Sequence, residues 1–170
     1  MYFTYTAPTM ATSDASFDVY EQDDKVGSIH RYFTNKQTRN PQYDINLTMY
    51  DIDNNHYRIL QSSFSMRKGG EWQVEKNDRL IGTIRNPDGF FKIHQIDIDI
   101  EDFPVFSIKA TFSGKGKILD AVEEEVGETY RTTKIKRTYE GEIEDSFQGT
   151  SLPILFYGIV HAFWCGFHKG

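Results

Sequence analysis

LPILFYGIVHAFWCGF, residues Leu152–Phe167, is apolar nearly all round a helical wheel, and no other stretch of the chain matches it. Thr150 and Ser151 precede it as N-cap residues, and Pro153 falls in the first turn, where its missing N–H costs nothing. Lys169 lies beyond the end, where a cation suits the C-terminal dipole. These features predict a helix over about residues 151–167. A bilayer span needs about 20 apolar residues. This run is shorter and carries His161, so no transmembrane span is predicted; a transmembrane or membrane-dipping helix is the competing reading. An all-round apolar helix that stays out of the bilayer must be buried by the rest of its own protein.

The rest of the chain is built to bury it. Short segments alternate apolar and polar residues between turn signals: Tyr2–Thr6, Ser16–Tyr20, Val26–Phe33, Tyr43–Tyr50, Tyr57–Phe64, Trp72–Val74 and Leu80–Ile84 read as strands. In Phe90–Ile100 the second half places Ile96, Ile98 and Ile100 on one face and Asp97, Asp99 and Glu101 on the other. Phe106–Phe112 and Tyr130–Tyr139 continue the pattern. Asn86-Pro87-Asp88-Gly89 is the strongest turn signal. Ile118–Glu128 is ambiguous: Ile118, Val122 and Val126 have helical spacing, whereas Gly127 and the flanking strands favour extended structure. No long linker interrupts the 170 residues, so one domain, 1–170, is expected. A sheet curved into a closed barrel covers the helix on every side and removes exposed strand edges. The predicted fold is mainly β, a closed antiparallel barrel wrapped around one buried C-terminal helix.

Two short patterns carry a family resemblance. Phe17-Asp18-Val19-Tyr20 is followed by Lys25-Val26-Gly27-Ser28-Ile29-His30-Arg31, and Trp72-Gln73-Val74 by Arg79-Leu80-Ile81-Gly82-Thr83-Ile84-Arg85. Each reads as strand, acidic turn, and a strand with glycine two residues before isoleucine, which hints at a repeated hairpin. With the terminal helix, this layout resembles the tubby C-terminal-like superfamily, which includes LURP-one-related proteins and phospholipid scramblases. The resemblance implies a barrel around a central helix, and functions ranging from phosphoinositide binding to lipid scrambling. Fold analogy supplies no mechanism.

Net charge is −6 and pI about 5.3, so the mean field repels phosphate backbones and argues against nucleic-acid binding. The one cysteine, Cys165, permits no internal disulfide, and residues 1–17 contain no signal peptide. A cytoplasmic protein that can sit peripherally on a membrane is expected. HExxH, paired CxxC and Walker A motifs are absent, so no catalytic residue and no cofactor are assigned. Asp51, Asp53 and Asn55 begin like a calcium loop, but His56 and Ser62 occupy the positions that need glycine and glutamate; a hairpin is the better reading. Tyr157, His161 and Cys165 form one line on the helix. A soft metal site or Cys–His nucleophile is the active reading; a buried, hydrogen-bonded histidine beside an inert thiol is the plainer one.

One dense basic segment remains, Arg131-Thr132-Thr133-Lys134-Ile135-Lys136-Arg137. In a strand, Lys134 and Lys136 share a face with Thr132 and Thr138, and with Arg131 and Arg137 they form a candidate site for anionic lipid headgroups. The plainer alternative is pairing with the acidic segment before it, Asp120–Glu128. The leading expectation is a non-enzymatic binding module for anionic membrane lipid or a protein partner. The alternative is a lipocalin-like carrier, which requires a hollow barrel.

Overall fold

The computed structural model describes residues 1–87, 94–133, 135–147 and 154–167. In chain order the strands are β1 (Tyr2–Thr6), β2 (Phe17–Glu21), β3 (Asp24–Tyr32), β4 (Asn46–Asp51), β5 (His56–Ser65) and β6 (Gly69–Lys76). They continue with β7 (Arg79–Arg85), β8 (Gln95–Ile100), β9 (Phe106–Ala110), β10 (Gly116–Asp120), β11 (Glu125–Arg131) and β12 (Thr138–Ile143). A 3-10 turn, Asp145–Phe147, precedes the helix α1 (Ile154–Gly166). Each strand pairs antiparallel with its sequence neighbour, and β1 pairs with β12, Tyr2 opposite Glu142 and Thr6 opposite Thr138. The sheet is therefore a closed barrel with no free edge.

Period-two alternation fills it. In β8, Ile96, Ile98 and Ile100 are buried while Asp97 and Asp99 lie on the outer side. In β6, Gly70, Trp72 and Val74 face inward. These side chains meet a helix whose residues from Ile154 to Cys165 are all buried. A helix buried on every face has the rest of the protein around it, which overturns the hollow-carrier alternative. The helix comes closest to β3, β4 and β5, where the absence of a side chain at Gly158 leaves room for Met49; a Cβ there would collide with the Met49 sulfur.

The repeated hairpin occurs three times. Val19 pairs with Gly27, Val74 with Gly82 and Ile118 with Gly127, and in each case the residue before the glycine, Val26, Ile81 or Val126, is the extra one of a bulge. A Cβ on any of these glycines would strike a carbonyl oxygen of the following strand, that of Tyr50, Asp99 or Glu142. Glycine is thus required where a strengthened twist brings neighbouring backbones together. The third copy falls in Ile118–Glu128, and this resolves that ambiguous segment as β10, a turn and β11.

Several boundaries differ from the sequence reading. Tyr130–Tyr139 is not one strand: β11 ends at Arg131, residues 135–136 turn, Arg137 adopts φ 46°, and β12 begins at Thr138. Phe106–Phe112 stops at Ala110, and Tyr43–Tyr50 begins at Asn46. Thr150, Ser151, Pro153 and Lys169, and parts of the Asn86–Gly89 turn and of Phe90–Ile100, lie outside the described residues.

Candidate functional site at the basic end of the barrel

Antiparallel strands place successive connections at opposite ends of the barrel. The helix fixes which end is which. Ile154 lies over Gly27, which pairs with Asp51 beside the β4–β5 turn, while Gly166 lies beside His94, in the connection between β7 and β8. Connections at the helix N-terminal end carry Asp23, Asp53, Asp78, Glu101 and Asp102, then Glu123, Glu124, Glu144 and Asp145, with no Lys or Arg among them. At the helix C-terminal end the connections carry Lys36, Arg39, Arg67, Lys68, Lys115, Lys136 and Arg137 against Asp14 and Asp44, among the described residues. Charge is therefore segregated among the connections of the described residues; at the acidic end Arg79 holds Glu101 at 2.6 Å and Arg58 holds Asp78 at 2.9 Å, which leaves Asp23, Asp53, Asp102, Glu123 and Glu124 to set its sign.

Not every cation at this end is available. Arg31 is buried and donates to the carbonyls of Pro41 (2.6 Å), Asp44 (3.0 Å) and Ala11 (3.5 Å) and to Cys165 Sγ (3.4 Å). It ties two connections to the last turn of the helix. Arg39 donates to the Thr12 carbonyl at 2.7 Å and meets Asp14 at 3.2 Å. Lys115 is held by both carboxylate oxygens of Glu128, at 2.7 and 2.9 Å. Arg67, Lys68 and Lys136 are exposed.

The basic segment is a hairpin connection, not a strand face. Arg131 Nε donates to the Thr133 carbonyl at 2.8 Å, and Arg137 Nη1 donates to the Pro8 carbonyl at 2.9 Å. Arg137 also accepts the Ala7 N–H through its own carbonyl (3.2 Å), clipping this connection to that between β1 and β2. Lys136 is exposed in the turn, whereas Lys134, and with it the shared lysine face of the sequence reading, lies outside the described residues. Two carboxylates of the acidic segment are held elsewhere: Glu125 pairs with Lys117 across the β10–β11 hairpin and Glu128 with Lys115, just before β10.

Other candidates resolve into structure. Asp51 Oδ1 accepts the N–H groups of Asp53 (2.9 Å) and Asn55 (2.8 Å), so this carboxylate closes a hairpin. Tyr157 donates to Glu21 at 2.6 Å. His161 Nε2 lies 3.5 Å from Cys165 Sγ, and its Nδ1 has no partner, so the expected hydrogen-bonded histidine is satisfied on one side only. Among the described residues, no group of three or more His, Cys, Asp or Glu is placed to hold a metal ion.

Burial, and then the charges of Arg137 and Arg31, hold the His161 pKa well below its usual value. The histidine is neutral in the fold, while the unfolded chain takes up its proton near pH 6.5. Stability attributable to this group is intact above that pH and falls as pH drops below it, by up to about 1.4 kcal/mol per pH unit. Urea denaturation between pH 7 and 5 is expected to show this slope, and His161→Gln is expected to flatten it. An unchanged slope in the variant would assign the acid sensitivity to carboxylates instead.

A long antiparallel barrel closed around its own terminal helix, with oppositely charged ends, defines a scaffold that presents surfaces rather than encloses a ligand. The Tubby C-terminal like domain model matches residues 3–165, from β1 to the last turn of α1, and the chain belongs to that family. No curated protein and no solved structure matches it. No helix among the described residues is long and apolar enough to cross a membrane.

Sequence reasoning missed Arg67 and Lys68, which join the site only once the barrel places their turn at the same end as residues 131–137. It also missed three apolar side chains there: Met10, Phe112 and Ile135, exposed by 70%, 99% and 80%. The signal was present in Ile135, which stands between two lysines in the sequence.

Proposed function

We propose that the chain is a non-enzymatic binding module, one domain over residues 1–170, that docks the basic end of its barrel onto anionic lipid headgroups. Arg131, Lys134, Lys136 and Arg137 with Arg67 and Lys68 supply the charge, and the natural setting is the cytoplasmic leaflet, where anionic lipids concentrate. The observation that carries this reading is the segregation of charge to opposite ends in a chain of negative net charge. An anionic surface attracts one end and repels the other, so the protein is oriented before contact. The non-enzymatic part rests on the burial of both His161 and Cys165 within the core.

Sedimentation with vesicles tests the proposal. Binding to phosphatidylcholine vesicles containing phosphatidylserine is expected at low salt, with release at high salt, because surface charges more than a Debye length apart are screened. Pure phosphatidylcholine vesicles are expected to leave the protein in the supernatant. Equal binding to both, or to neither, contradicts it. A protein partner is favoured by a separate feature, a groove of about 630 Å³ at the acidic end, between Met1, Gln22, Glu125, Glu128, Glu142 and Glu144. It would suit a basic peptide, and capture would resist the loss of vesicle binding.

A further inference from the structure

Phe112, Ile135 and Met10 occupy three successive connections around one end of the barrel, because β9, β10, β11, β12, β1 and β2 are neighbours in that order. A scattered exposed apolar residue needs no explanation. Three on adjacent loops, at the end that also gathers the exposed cations, form a surface with a definite composition. Phe112 carries most of it: its ring is 99% exposed and makes no use of the apolar core beside it.

The turn beneath Phe112 holds it out. Thr111 N–H donates to the Lys115 carbonyl at 2.8 Å, Lys115 N–H donates to Thr111 Oγ1 at 3.1 Å, and Gly114, at φ 81°, donates to the Thr111 carbonyl at 3.0 Å. Its polar groups bond to one another, so placing the ring in an apolar phase would leave none of those named unpaired. The conformation is also set in advance, which lowers the ordering cost of contact. Ile135 sits at the tip of the β11–β12 connection next to Lys136, and the Arg137 clip holds that connection against the one bearing Met10. Exposed apolar residues at the other end, such as Val122 at 73%, stand among carboxylates that an anionic surface repels.

We propose that Phe112 and Ile135, with Met10 beside them, insert between the lipids when the basic end meets an anionic bilayer. The ligand is then a membrane surface and not a free phosphate. This rests on the headgroup reading above and adds to it the apolar half of an interfacial contact, in which buried apolar area and attraction to anionic lipid act together.

The test uses the full chain with vesicles containing phosphatidylserine, after confirming unchanged thermal unfolding of each variant. Phe112→Ser with Ile135→Ser is expected to weaken binding about a hundredfold or more, as follows from burying two side chains of this size. Val122→Ser at the opposite end is expected to change nothing. In Phe112→Trp, the introduced indole is expected to shift its emission to the blue on vesicles and to be quenched by lipids brominated in the acyl chain. Normal vesicle binding by the double variant, with an unshifted indole, overturns insertion and leaves the headgroup reading standing. Wild-type protein that ignores the vesicles at low salt overturns both. A double variant that converts a wild-type dimer to monomer while binding vesicles normally would assign the surface to a second copy of the chain, and insertion would fall.

Discussion

Removal of residues 154–170 is expected to leave no cooperatively folded protein. Phe156, Tyr157, Ile159, Val160 and Phe163 are fully excluded from solvent, and the strands' inward side chains, Leu47, Met49, Ile59 and Val74 among them, belong to the same core cluster. Truncating one such side chain to alanine costs about 2–5 kcal/mol. A domain has only about 5–15 kcal/mol in all, so loss of the whole helix exceeds it several times over. The barrel would enclose an unfilled apolar space lined from every strand. Size-exclusion chromatography and thermal unfolding of the truncated chain give the readout. A soluble monomer with a sharp transition would contradict the account and restore the detachable membrane anchor.

Reversal of three exposed charges, Arg67→Glu, Lys68→Glu and Lys136→Glu, is expected to abolish binding to anionic vesicles. Each basic side chain near such a surface contributes about 1 kcal/mol, and each reversal replaces attraction by repulsion. A loss of at least about a hundredfold follows. None of the three is in the core, so surface substitutions of this kind are expected to move stability by about 0.5 kcal/mol or less. The same number of added negative charges in the acidic-end turns, which already face away from the lipid, should be almost silent. Equal losses from both sets would mean that net charge alone governs binding.

How far the sequence led differs between the fold and the site. The helix was legible because sixteen consecutive residues, Leu152–Phe167, leave no polar face, and the barrel followed from the need to cover them. Strand alternation was legible in Gln95–Ile100, where isoleucine and aspartate take turns. The third hairpin copy was hidden because Thr129 stands where Ile29 and Ile84 stand in the others, and because Val122, in the turn, completed a false helical spacing. The site was harder. Tyr130–Tyr139 alternates convincingly, yet Arg137 takes a left-handed backbone conformation and the chain reverses there, which no side-chain pattern announces. Charge polarity was not legible at all. Neighbouring turns in the sequence lie at opposite ends of an antiparallel barrel, so cations and carboxylates that alternate along the chain separate only when it folds.

Hydrogen exchange of the vesicle-bound protein compared with the free protein addresses the central claim most directly, because it reports which end meets the surface. The account predicts slowed exchange in residues 66–68, 111–115 and 132–137, together with the connection around Met10, and unchanged exchange in the turns at 52–55, 77–78 and 121–124. Slowed exchange in the acidic-end turns, with the basic end unchanged, would contradict it.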